Sequence, residues 1–312
     1  MKASTADPVS PVYLSLSEKQ WDEKIEKARG LASPCVLCSR RCEVLRFKKP
    51  RSSPLGICKT ADKALVSSVG PHFGEEPPLV GNKGSGTIFF SYCNLGCIFC
   101  QNYSIAHLGE GRLVSDEELS RMMLRIQALG CHNVNLVSPT HVVPNIIAAV
   151  RIAAGEGLQI PLVYNTGGYD SLDTIRLLAE IVDIYMPDMK YGESLPAQEF
   201  SLAPDYPEVN FAAVKEMHRQ VGDLVLDKNG VASRGLLVRH LVLPGGLAGT
   251  QKVVRFIAQD VSKNTYINIM AQYRPHYKAV GHPQLGRGIT VKEYQAALDM
   301  ARAAGLTRIQ AR

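Results

Sequence analysis

The chain contains eight cysteines, and seven of them fall into two groups. Cys93, Cys97 and Cys100 form a C-x3-C-x2-C run with no fourth cysteine close by. Three thiolates on one short loop can hold three irons of a [4Fe-4S] cluster and leave the fourth open to a substrate or cofactor. Structural zinc, by contrast, prefers four closed ligands. Cys35, Cys38, Cys42 and Cys58 form the second group. Four thiolates suffice to close either a structural zinc site or an auxiliary iron-sulfur cluster, and the spacing leaves both open. Cys131 stands alone and reads as a small buried hydrophobe. Around the second group Arg40, Arg41, Arg46, Lys48, Lys49 and Arg51 make a basic segment, read as solvated charge, with attraction of an acidic partner, a redox donor or nucleic acid as the alternatives.

The elements that must position these groups follow from hydrophobic periodicity. Residues 1 to 80 read as an irregular extension, because prolines from Pro8 to Pro78 interrupt regular structure there, with one helix over Glu18 to Ala32. From residue 81 to 312 short apolar runs alternate with helical patterns. Strands are predicted at Thr87 to Tyr92, Val134 to Val137, Leu162 to Asn165, Ile184 to Met186, Leu236 to Val242 and Tyr266 to Met270. Helices are predicted to begin near Asp116, Pro144, Leu172, Pro207, Gln251 and Val291, and Ser115 with Glu118 and Thr290 with Glu293 fit capping boxes. The segment Leu224 to Val231 reads as a small hairpin.

Strands joined by crossover helices run parallel. Polar or reactive groups close every predicted strand, so the expected fold is α/β, a partial (β/α)6 TIM-type barrel whose mouth gathers them into one site. A chain with 46% hydrophobic and 21% charged residues can bury a sizeable core, and a net charge of +6 names no partner. No apolar run approaches the roughly 20 residues of a membrane-spanning helix, and no secretory signal opens the chain. A cytoplasmic protein is expected, with no membrane partner and no nucleic acid.

The three-cysteine loop after a first strand resembles the defining element of the radical S-adenosylmethionine (SAM) superfamily. Within it, the chain resembles the pyruvate formate-lyase activating enzyme branch. The stretches Pro71 to Leu79, Val163 to Tyr169 and Arg239 to Gly245 are similar to an uncharacterised activase-like subgroup. The resemblance implies that Cys93, Cys97 and Cys100 hold a [4Fe-4S] cluster whose open iron chelates SAM. One electron from an external donor such as flavodoxin or ferredoxin would then yield methionine and a 5'-deoxyadenosyl radical that abstracts a hydrogen atom. Targets left open are a glycyl-radical partner enzyme, or a small molecule, peptide or RNA; a non-catalytic zinc-binding interaction protein is the alternative of another class.

The resemblance also implies SAM contacts. Phe99 takes the place of an apolar side chain against the adenine. Ser138 and Thr140 lie in Ser-Pro-Thr-His, where the activases have Gly-Gly-Glu, so only backbone contacts to the SAM amino group carry over. Asn165 with Thr166 stands for Asp-Thr, and Met186, Asp188 and Lys190 match Met-x-Asp-x-Lys, segments that surround the SAM carboxylate and a monovalent cation. Asn at 165 removes a negative charge, so that ion is expected to bind weakly or be absent. His240 stands where the family's histidine approaches the ribose, and strand alternation sends Arg239 to the opposite face. Gln272, Tyr273, Arg274, His276 and Tyr277 are expected to form the substrate-side rim.

Overall fold

The computed structural model describes residues 10–47 and 55–311. Lys48, Lys49, Arg51, Pro8, Pro50 and Pro54 lie outside the described residues. Short apolar runs become strands β1 (Ala64–His72), β2 (Ser85–Phe90), β3 (Arg112–Val114), β4 (Val134–Val137), β5 (Leu162–Thr166), β6 (Ile184–Pro187), β7 (Val225–Leu226), β8 (Ala232–Leu241), β9 (Tyr266–Met270) and β10 (Ile309–Ala311). The helices are α1 (Glu18–Leu31), α2 (Pro77–Val80), α3 (Tyr103–Ala106), α4 (Asp116–Ala128), α5 (Val143–Gly155), α6 (Leu172–Leu177), α7 (Ser194–Ser201), α8 (Tyr206–Val221), α9 (Thr250–Phe256) and α10 (Val291–Ala303).

Among the described residues these strands form one sheet in the order β10-β9-β8-β6-β5-β4-β2-β1-β3, with β7 hairpinned onto β8. From β2 to β10 along that path every pairing is parallel, whereas β1 pairs antiparallel with both β2 and β3. The sheet does not close, so the architecture is a partial barrel of six β/α units with extra edge strands. Both predicted capping boxes form: Ser115 caps α4 with Glu118, and Thr290 caps α10 with Glu293.

Three apolar clusters result. The largest lies between sheet and helices and includes Ile88, Leu136, Tyr164, Tyr185 and Val238. Tyr13, Trp21, Ala28 and Leu37 belong to the same cluster, so the segment read as an extension shares the core of the barrel, and β1 joins its sheet. Strand β1 escapes sequence reading because Gly70 and Pro71 sit at its end, where a Pro is tolerated on the weakly paired flank. A second cluster closes the lumen from below, with Leu79 of α2 packed among Val163, Ile184, Met186 and Leu237. The third, with Leu95, Phe99, Tyr191, Phe200 and Tyr273, roofs the carboxyl ends of the strands.

Candidate radical site

Cys93, Cys97 and Cys100 lie just beyond β2 on a loop whose backbone is tied on several sides. Gly96 N donates to Ser201 O at 3.2 Å, Ile98 N to Phe200 O at 2.9 Å, and Ala279 N to Ile98 O at 3.0 Å. The end of α7 and the segment after β9 therefore hold the loop like added strands. Ser201 Oγ donates to Cys97 Sγ at 2.9 Å and meets the Tyr191 hydroxyl at 2.7 Å. His107 Nε2 lies 3.0 Å from the Cys97 carbonyl oxygen. Burial pushes the Cys93 thiol up to about 11 and that of Cys100 up to about 12. Three soft sulfur donors on one loop fit an iron-sulfur cluster, although among the described residues no three His, Cys, Asp or Glu side chains stand arranged to hold a single metal ion.

Beside this loop the ends of β5, β6 and β8 build a charged group. Asp188 Oδ2 accepts from Lys190 Nζ at 2.6 Å, and Asp188 Oδ1 accepts from Arg239 Nε at 2.8 Å. Arg239 Nη2 also donates to Asn165 Oδ1 at 2.7 Å. Burial alone would raise the Asp188 carboxyl, but Arg239 and Lys190 outweigh it and hold the group below its ordinary range. Burial likewise opposes the charge on Lys190, and Asp188 overrides it, so the ammonium persists. Both Asp188 oxygens and the Asn165 oxygen are thus already engaged by built-in cations. Arg239 supplies positive charge at the place where the resemblance puts a monovalent cation, which fits Asn rather than Asp at 165.

The remaining predicted residues divide. Thr140 and Thr166 face away from the lumen and both donate to Asp170, at 2.7 Å each, alongside the Tyr164 hydroxyl at 2.8 Å. They brace the strand ends from behind. Ser138 adopts φ 58° and its N donates to Asn165 O at 2.9 Å, which ties the ends of β4 and β5 together. Phe99 packs edge-on against Tyr191 and Tyr273, with centroids 6.4 and 5.9 Å apart. His240 is not brought to this group. Its Nδ1 lies 2.6 Å from Met189 O and its Nε2 2.9 Å from Thr250 Oγ1, on the helix side of β8, while its neighbour Arg239 faces the lumen. Strand alternation allowed only one of the two inside, and the structure admits the arginine. Of the predicted rim, Tyr273 is buried with its hydroxyl on Leu285 O at 2.8 Å, and Tyr277 stacks on Tyr103 and His107.

The second cysteine group sits against the first. Cys35 and Val44 open and close a hairpin (Cys35 N to Val44 O, 3.0 Å) that Leu37 O pins to Ser171 N at 3.3 Å. Asn94, inside the three-cysteine loop, donates from Nδ2 to Tyr169 O at 2.8 Å, next to the Cys38–Asp170 β-bridge. The basic segment is corrected in part. Arg40 donates to the Asn94, Ser201 and Leu202 carbonyls, and Arg46, only 7% exposed, reaches His141 O at 2.5 Å and Cys58 Sγ at 3.4 Å. Loop-end carbonyls and a thiol draw both inward, leaving Arg46 buried and Arg40 half-buried.

Sequence reasoning missed Tyr206 and Asn210, one turn apart on α8. The Tyr206 hydroxyl lies 2.8 Å from both Gly167 O and Asp188 O, and Asn210 Nδ2 donates to Gly168 O and Asp188 O at 3.0 Å each. They clamp the loops after β5 and β6 together. Only their spacing on one helical face hinted at a shared target.

The fold and this loop define a class. Residues 87–245, from β2 to the loop after β8, match the model of the radical SAM superfamily, and the chain belongs to that superfamily. Membership implies a [4Fe-4S] cluster and SAM, an enzyme and an external reductant. The chain is 30% identical over 290 residues to the uncharacterized protein MJ0674 of Methanocaldococcus jannaschii, covering 90% of this chain and 78% of that one. Solved structures with a similar fold include SuiB of Streptococcus suis bound to the precursor peptide SuiA, at 12% identity and TM-score 0.49, over 71% of this chain and 46% of that one. HydG, a maturase of the [FeFe]-hydrogenase, is similar at 10% identity and TM-score 0.49, over 96% of this chain and 63% of that one. Among the described residues no helix is long and apolar enough to cross a membrane.

Proposed function

We propose that this chain is a radical SAM enzyme whose Cys93, Cys97 and Cys100 hold the cluster and whose lumen holds the substrate from which a hydrogen atom is taken. The observation that carries this reading is the three-thiol loop at the end of β2, within the matched region and next to Lys190 and Arg239. Cluster and SAM together supply a 5'-deoxyadenosyl radical when bound. The protein's share is to orient the SAM carboxylate with Lys190 and Arg239, to fix the loop through Ser201, Phe200 and Ala279, and to keep water out with the aromatic roof. Cys35, Cys38, Cys42 and Cys58 are read as a second metal site, either zinc or an auxiliary iron-sulfur cluster, which would stabilise the hairpin that carries three of them. All eight cysteines are free, which suits a reducing cytoplasm and a donor such as flavodoxin or ferredoxin.

The covered mouth and the polar lumen favour a small polar substrate over an extended loop of a glycyl-radical enzyme, which remains the second reading on sequence resemblance. The test is 5'-deoxyadenosine formation by anaerobically reconstituted protein given SAM and a strong reductant, with iron and zinc counted in the same sample. Product from the wild type and none from Cys97→Ala, with metal retained at the other four cysteines, is the expected result. Zinc without iron and without product would sink the reading in favour of a non-catalytic zinc protein.

A further inference from the structure

The segment between β1 and α2 carries Glu75 and Glu76, acids that the reading above leaves without a task. Both turn into the lumen beneath Arg239. Asn268 Nδ2 donates to Glu76 Oε1 at 3.2 Å, and Asn268 pairs in register with Arg239, so these side chains share the lumen face. Burial raises the Glu75 carboxyl, which Arg239 and Asn135 of β4 partly offset, and His72, half exposed, stands 3.5 Å from Glu75 Oε1 on the outer side. Arg239 reaches both glutamates only at ion-pair range, Nη1 to Glu75 Oε2 and Nε to Glu76 Oε1 at 4.0 Å each, too far for a hydrogen bond, while its Nε and Nη2 are held by Asp188 and Asn165.

Four buried acceptor oxygens are consequently left without a donor: Glu75 Oε2, Glu76 Oε2, Asn135 Oδ1 and Asn268 Oδ1. Asn135 and Asn268 are 0% and 5% exposed, so these are not surface groups with bulk water at hand. Buried polar atoms are nearly always paired, and four orphans of one kind in one place call for one complementary partner. Charge points the same way. Glu75, Glu76 and Asp188 face Arg239 and Lys190, an excess of one negative charge when all are ionised. Side-chain exposure falls from 19% at Lys190 and 17% at Arg239 to 9% at Glu75 and 6% at Glu76, so the two glutamates are the deepest of the charged groups.

We infer that this lumen floor recognises an organic ammonium group, so that the substrate carries a cationic amine inserted past Arg239 onto Glu75 and Glu76. An ammonium offers several N–H donors and a positive charge, which meets the orphan acceptors and cancels the excess charge together. The inference deepens the radical SAM reading and rests on it for the word substrate; the ammonium site itself rests on the lumen.

The test uses reconstituted holoenzyme with SAM and titrates it with n-butylammonium chloride, n-butanol and potassium chloride, read by calorimetry. Saturable binding of n-butylammonium, about tenfold or more tighter than n-butanol and absent for potassium, is expected. Glu75→Gln and Glu76→Gln, each checked for a cooperative melt, should weaken it about tenfold, while Glu23→Gln on the exposed face of α1 should not. Equal binding of n-butanol, an equal response to potassium, or Gln variants that bind as the wild type does would overturn the inference. If the Gln variants fail to fold, the comparison of the three probes on the wild type still decides. Ammonium binding in a protein that takes up zinc without iron and forms no 5'-deoxyadenosine would sink the radical reading and leave the ammonium site standing; 5'-deoxyadenosine without ammonium binding would do the reverse.

Discussion

Arg239 and His240 are neighbours with opposite fates, and the difference is one of face. The arginine inside the lumen depends on Asp188, and that dependence is mutual. Asp188→Asn should leave two cations without their shared anion and cost about 3–5 kcal/mol of stability, as removing one member of a buried ion group does; urea unfolding at neutral pH measures it. A shift no larger than a surface substitution gives would show the group to be solvated. His240, held neutral between Met189 and Thr250, has its pKa lowered by burial to about 4, and so has His141. An unfolded histidine titrates near 6.5, so between about 6.5 and 4 the unfolded chain binds more protons and stability falls as pH drops, by up to about 1.4 kcal/mol per pH unit for each group. Asp183, whose carboxyl burial raises to about 6, opposes this over part of the same window. Glu75, Asp170 and Asp116, likewise raised by burial, act in the same sense as Asp183, so the expectation is a difference: stability falls less steeply below about pH 6.5 in His240→Gln than in the wild type, followed by urea unfolding across that range. Equal slopes in the two proteins would refute it.

At the scale of elements, the site is assembled by loops that helices hold in place. Gly168, at φ +77°, lies so close to Asp188 that an added Cβ would stand 2.3 Å from the Asp188 carbonyl oxygen and 2.2 Å from Asn210 Nδ2. Gly168→Ala should force the loops after β5 and β6 apart, lowering the melting temperature and weakening SAM binding together. A variant with wild-type SAM affinity would contradict the clamp by Tyr206 and Asn210. Thr290→Ala, by contrast, removes the cap of α10 and should cost about 1 kcal/mol without touching the site; equilibrium unfolding alongside SAM binding separates the two effects. The caps of α4 and α10, the hairpin of β7 and six parallel strands were legible because each is a local pattern. The helices α2 and α3 were not, since a single four-residue turn carries too little periodicity, and α7 was not, since it has no side-chain cap and holds Pro196 in its first turn.

Over the whole molecule, the N-terminal segment and the barrel share one core, and the single tryptophan, Trp21, reports on their union. It lies on α1, is 3% exposed and packs in the cluster between sheet and helices. Its fluorescence should therefore change over the same denaturant range as far-UV circular dichroism, as one cooperative unit requires. An earlier fluorescence transition would show that α1 detaches first. Spacing along the chain sets period, caps and loop position, which is why the parallel α/β order, the two cysteine groups and the strand ends at the mouth could be read before any contact was known. Tertiary structure alone decided that Arg239 and not His240 enters the lumen, that Arg40 and Arg46 turn inward, and that Glu75 and Glu76 meet Asn135 and Asn268 from distant strands. Those outcomes depend on which face of a strand is enclosed and on which acceptors lie within reach across the fold, and no local pattern encodes either.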